Sequence, residues 1–109
     1  MPSYLKGSIV LVRFPFSDLS AAKVRPAVVV SAPHPSRDVF IVPLTSKLDR
    51  LQTGEFIMHA WKAAGLNVQT AVKRGLFTIH ERLILKIVGS IGPADTEALE
   101  QSLRAWLQL

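Results

Sequence analysis

The sequence predicts a small, mainly β domain: five to seven short strands closed into a barrel and capped by one C-terminal helix. Three observations carry this expectation. Three four-residue apolar runs, Ile9–Val12, Ala27–Val30 and Val39–Val42, are rich in Val and Ile and lie between Gly, Pro, Ser and Asp clusters, as buried strands of a small β protein do. Helical periodicity is confined to the last residues, 94–109. A chain of 109 residues with 49% hydrophobic content leaves room for one domain with an ordinary core, so residues 1–109 read as a single unit.

Strands are expected near 8–14, 26–31 and 38–44, with two weaker ones at 55–59 and 68–79 and a last one at 83–91. Proline cannot donate to a ladder and is tolerated at strand ends and edges, which fits Pro15, Pro26 and Pro43 at these limits. FSDLSAAKV (16–24) reads as a long loop, SAPHPS (31–36) as a turn, and SKLDRLQTG (46–54) as a polar, basic connection closed by a glycine. WKAAG (61–65) reads as one helical turn ended by Gly65. In the terminal segment Leu99, Leu103, Trp106 and Leu107 fall at i, i+4, i+7 and i+8. Gly92-Pro93 breaks the strand before it, and acids in the first turn with Arg104 near the last suit the helix dipole.

Composition excludes several classes. With no cysteine the chain has no disulfide framework, thiolate metal site or cysteine nucleophile. Its apolar runs are far shorter than the ~20 residues of a membrane helix, and MPSYLKGS lacks the apolar stretch of a signal peptide, so a cytoplasmic address and no membrane partner are expected. The formal charge is +5, but residues 1–92 hold twelve of the thirteen basic and five of the eight acidic side chains, a net of +7. A basic body beside a mildly acidic tail points to a polyanionic partner, nucleic acid first.

The chemistry concentrates in GSIVLVRFPFSDLSAAKVRPAVVVS (7–31) and IVPLTS (41–46). Pro26 biases the residue before it towards extended backbone, which fixes the direction in which Arg25 leaves the loop. A guanidinium is always protonated, offers a planar fork of donors and suits the charge that develops on a phosphate under attack. Thr45 and Ser46 lie where the third strand gives out and can aim hydroxyls to the same side. The alternative is structural: Arg25 in a salt bridge and Thr45 capping a turn.

A glycine before a first strand, then VRFPFSDLSAAKVRPAVVVS, then PLTS, then a GL…FTI…GSIG segment before a terminal helix resembles the MazF/PemK family of toxin ribonucleases along nearly the whole chain. The resemblance implies an SH3-like barrel of the CcdB/MazF type with a C-terminal helix. It also implies a homodimer that cuts single-stranded RNA at preferred sequences without metal or other cofactor, an antitoxin that neutralises it, and contact with operator DNA only through the antitoxin complex. Carried over, the arginine of the Arg-Pro pair is Arg25 and the threonine ending the third strand is Thr45, the two residues most often assigned to catalysis in the family. The implied reaction is attack of a ribose 2′-hydroxyl on its own phosphate, giving a 2′,3′-cyclic phosphate and a free 5′-hydroxyl. Some relatives place an arginine and an aspartate on the penultimate strands; QTAVKRGLFTIH (69–80) has no acid.

The loop 16–24 would then cover the RNA path, with Lys23 beside Arg25. Ser46, Lys47, Arg50, Lys73 and Arg74 are expected to track the RNA, and Phe16, Phe14 or Trp61 to stack on bases, although most aromatics of so small a barrel fill its core. His34, His59 and His80 titrate in a useful range but read as turn or strand-end residues. Two rivals remain: a non-enzymatic CcdB-like gyrase poison, whose activity resides in a C-terminal tail with a tryptophan, and a catalytically inactive RNA-binding barrel. The helical spacing of Trp106 speaks for burial and against the first.

Overall fold

The computed structural model describes residues 4–14 and 23–109. Seven strands, β1 (Ser8–Phe14), β2 (Lys23–Val29), β3 (Asp38–Thr45), β4 (Phe56–Ile57), β5 (Ala71–Val72), β6 (Phe77–His80) and β7 (Ile84–Ser90), precede one helix, α1 (Pro93–Leu107). A 3₁₀ turn, Glu81–Leu83, links β6 to β7. All the strand pairs are antiparallel. The hydrogen-bonded path runs β4-β5-β3-β2-β1-β7, with β6 also on β3. Among the described residues no ladder returns from β7 to β4 or β6, so the expected closed barrel is an open sheet that is barrel-like in outline, 31 × 29 × 29 Å. Among the described residues no helix is long and apolar enough to cross a membrane.

The two-residue period of the strands splits their side chains between two cores. Val10, Val12 and Phe14 of β1, Ala27 and Val29 of β2, Val39 and Ile41 of β3 and Ile79 of β6 share one core with Tyr4, and Leu83 and Ile84 pack against it. Ile9, Val28, Val42, Leu44 and Val72 point the other way and meet Met58, Ala64 and Leu99, with Leu103 and Trp106 of α1 packed alongside. The helix keeps the predicted face except at Leu107, which is 47% exposed. Pro93 occupies the first turn of α1, where a missing N–H costs nothing.

Helix α1 is fixed at its start by Asp95, which is 3% exposed. Its two carboxylate oxygens accept from the backbone N–H of His59 (2.8 Å) and Ala60 (2.9 Å). The 61–65 segment is a single turn as expected, with Ala64 N donating to Ala60 O. It ends at Gly65 (φ +99°), where a side chain would strike the Val88 carbonyl.

Two further expectations, both about strand limits, need correction. Pro26 and Pro43 lie inside their strands, because β2 begins at Lys23 and β3 runs to Thr45. The ladder explains why they are tolerated: β2 pairs with β3 only through Ala27–Val29, and Pro43, opposite Ala27, is the last β3 residue in it. Both prolines stand where one strand loses its partner. The predicted strand over 68–79 is two strands, β5 on Leu44–Thr45 and β6 on Asp38–Ile41. The break lies alongside Pro43, which has no N–H to give, and the chain bends there at Arg74 between β5 and β6. Lys73 N still donates to Pro43 O at 3.0 Å.

Candidate active site

Register places Arg25. It stands opposite Val12 on β1, and Phe14 stands opposite Lys23, so Arg25 continues the row whose next inward member, Ala27, is in the first core. Directly paired residues in antiparallel strands share a face. Arg25 therefore emerges, exposed, at the mouth of that core. β3 brings Pro43 and Thr45 to the same end, and the bend after β5 brings Lys73 and Arg74.

These residues line one cleft of about 500 Å³: Arg25, Thr45, Lys47, Lys73 and Arg74 with Phe14, Pro43, Leu44 and Phe77. Phe14 and Phe77 meet edge to face, ring centres 5.9 Å apart, and form an aromatic wall. The hydroxyl oxygen of Thr45 accepts from the Lys47 N–H at 3.1 Å, which orients it and leaves its O–H to donate into the cleft. The turn-capping role weighed for Thr45 and its place in the site are thus compatible. Four cationic side chains and one hydroxyl converge on a space that no described carboxylate lines. Such a set has the charge and the donors that binding and neutralising a phosphate diester requires.

The sequence missed one acid near this site. Glu55 accepts from the Gln52 N–H (2.7 Å) and from the Arg74 N–H (2.8 Å). These backbone hydrogen bonds, Arg74 first, hold its carboxyl below the usual range, with a further contribution from the charges of Lys73 and Arg74. Its role is to pin the basic bend after β5 to the 46–55 connection. An acid at the end of a basic connection was the available signal, but nothing in the sequence names its partner 19 residues away.

The other expectations divide. Arg25, Thr45, Lys47, Lys73, Arg74 and Phe14 are gathered in the cleft, whereas Lys23, Ser46 and Arg50, all exposed, are not among its lining residues. Phe16 and most of the 16–24 loop lie outside the described residues. Trp61 packs against the second core rather than the cleft. No histidine lines the cleft: Nδ1 of His34 is hydrogen-bonded to Ser36 Oγ, and Nδ1 of His80 accepts from Arg82 N. Trp106 donates its indole N–H to Thr53 O at 3.0 Å and packs against the second core, so it is no free tail residue.

A family model described as PemK-like, MazF-like toxin of type II toxin-antitoxin system matches residues 5–107. No curated protein matches the chain. Among solved structures, it is similar to an endoribonuclease from Mycobacterial species, at 21% identity and a TM-score of 0.76 over 100% of this chain and 95% of the other. An endoribonuclease in complex with its cognate antitoxin, also from Mycobacterial species, gives 21% identity and a TM-score of 0.77 over 98% of this chain and 97% of the other. MazF from Deinococcus radiodurans gives 20% and 0.74, with 97% of each chain covered.

Proposed function

The chain belongs to the family of PemK-like, MazF-like toxins of type II toxin–antitoxin systems, and on that premise we propose that it is a sequence-selective endoribonuclease acting on single-stranded RNA without a metal. The observation that carries the reading is the cleft itself: Arg25, Lys47, Lys73 and Arg74 line it together with Thr45 and an aromatic wall. Cationic nitrogens at this density suit a phosphodiester. The described residues of the cleft include no carboxylate, the usual protein ligand of a magnesium ion.

In this mechanism the ribose 2′-hydroxyl attacks its own phosphate and the 5′-oxygen leaves, giving a 2′,3′-cyclic phosphate and a 5′-hydroxyl. Arg25 donates to the oxygens on which charge accumulates, and Thr45 orients the phosphate. Lys47, Lys73 and Arg74 hold neighbouring phosphates. Phe77, 37% exposed, offers a ring on which a base can lie. The tethering of Trp106 favours this reading over the gyrase-poison alternative, which needs a mobile C-terminal tryptophan. The test is incubation of the purified protein with a long RNA in EDTA and mapping of the ends. Discrete cuts bearing 2′,3′-cyclic phosphate, lost when the ribose at the cut lacks its 2′-hydroxyl, are expected; intact RNA would refute the reading.

The working unit is proposed as one domain over residues 1–109, paired as a two-fold homodimer in the cytoplasm with the cleft of each subunit on a shared groove. One similar structure holds its cognate antitoxin. For this chain the proposed antitoxin segment is acidic and apolar, covers Arg25 and excludes RNA by occupancy, and links the toxin to operator DNA. Its affinity is expected to fall as salt rises from about 0.05 to 0.5 M, measured by calorimetry, since exposed charges are screened.

A further inference from the structure

Arg74 borders two depressions. On one side lies the Arg25–Thr45 cleft; on the other lies a groove of about 600 Å³ lined by Leu51, Gln52, Thr53, Gly54, Ala105 and Trp106. This second groove is firmly built. Trp106 donates to Thr53 O, and Ser102 Oγ of the same helix donates to Gly54 O at 2.7 Å. Gly54 (φ +86°) has no side chain, and any Cβ there would run into the indole ring. Glu55 joins the rims by accepting from both Gln52 N and Arg74 N. The groove is therefore preformed, and its shared rim is a cation continuous with the cleft.

We propose that this groove is a second nucleotide subsite for the same RNA strand. It seats a nucleotide flanking the cut, with Arg74 on the phosphate between the two sites. The proposal rests on the endoribonuclease reading and deepens it. The half-buried Trp106 indole offers an aromatic surface for a base. Gln52, an amide with donor and acceptor, and the Thr53 hydroxyl offer hydrogen bonds to a base edge. The groove's size falls within the range of small-molecule sites. Selectivity would then arise partly on the helix side of the sheet, away from the reacting phosphate.

The test uses the full chain and RNAs centred on the mapped cut, with flanks lengthened one nucleotide at a time on either side. For wild type, kcat/KM is expected to rise about 10-fold when one flank first reaches the groove. Gln52→Glu, a change at an exposed position of the groove, should abolish that rise, slowing the long substrates more than the shortest. As a binding readout that needs no turnover, Trp61→Phe leaves Trp106 as the sole indole. Its emission should be quenched by the long RNA, blocked at the cut by a 2′-deoxyribose, and not by the short one. A length series without a step, equal slowing of short and long substrates by Gln52→Glu, or quenching by an acidic peptide but not by RNA would overturn the subsite. Absence of any cleavage by wild type would instead refute the endoribonuclease reading, and the quenching would still decide whether RNA occupies the groove.

Discussion

The two faces of the sheet are built from the same strands and end differently. The face bearing Ile9, Val28, Val42 and Leu44 is covered by α1, which is anchored by the buried Asp95 and spends Leu99, Leu103 and Trp106 on packing. The opposite face is closed by Tyr4, Ile79, Leu83 and Ile84 over most of its length, but at the end where β2 begins and β3 finishes it meets solvent through Arg25, Thr45 and Phe77. Stability and the proposed chemistry thereby fall on different faces. Residues of the covered face can be optimised for burial, while the open end keeps a concentration of like charges that no packed core would tolerate.

Substitutions that act on one face alone break or sharpen this contrast. The largest effect is expected on the covered face. Leu99→Ala, at a side chain 4% exposed, should cost about 2–5 kcal/mol in urea denaturation, while the folded fraction cleaves RNA at the wild-type rate. A comparable loss of rate per folded molecule would mean that the faces are coupled. On the open side, Thr45→Val removes the hydroxyl and should slow cleavage about 10-fold with the melting temperature nearly unchanged.

The smallest effect is electrostatic and concerns two acids at the edges of the molecule. Glu81 is held below the ordinary carboxylate range by its hydrogen bond from Arg37, and Glu55 by the Arg74 and Gln52 amides. A carboxylate with a lowered folded-state pKa stabilises above its unfolded value and loses that contribution as pH falls through the folded one. Melting temperature should therefore decline below the ordinary value of 4.5. The decline should be shallower in Glu81→Gln, and modest in both because the ion pair is exposed.

The faces also differ in how legible they were. The covered one was written in local pattern: unbroken runs rich in Val and Ile in three strands, Leu99 and Leu103 at helical spacing, and a Gly-Pro break before α1. The open end was legible only in part. Arg25 and Thr45 carried a motif, but the split of 68–79 into two strands follows from Pro43, a residue on another strand. The same break sets the Lys73-Arg74 bend in the cleft. Glu55 and the Trp106–Thr53 contact, with partners 19 and 53 residues away, left no local trace. Periodicity reports which way a side chain faces; it does not report what lies across from it.

The central claim is that Arg25 acts on the phosphate and not on the fold, and it is tested most directly by the cleavage rate of Arg25→Ala on the mapped RNA, with its thermal melt recorded alongside. A fall of about 10²-fold or more with a wild-type melt is predicted. Near-normal cleavage by a folded Arg25→Ala protein would contradict it.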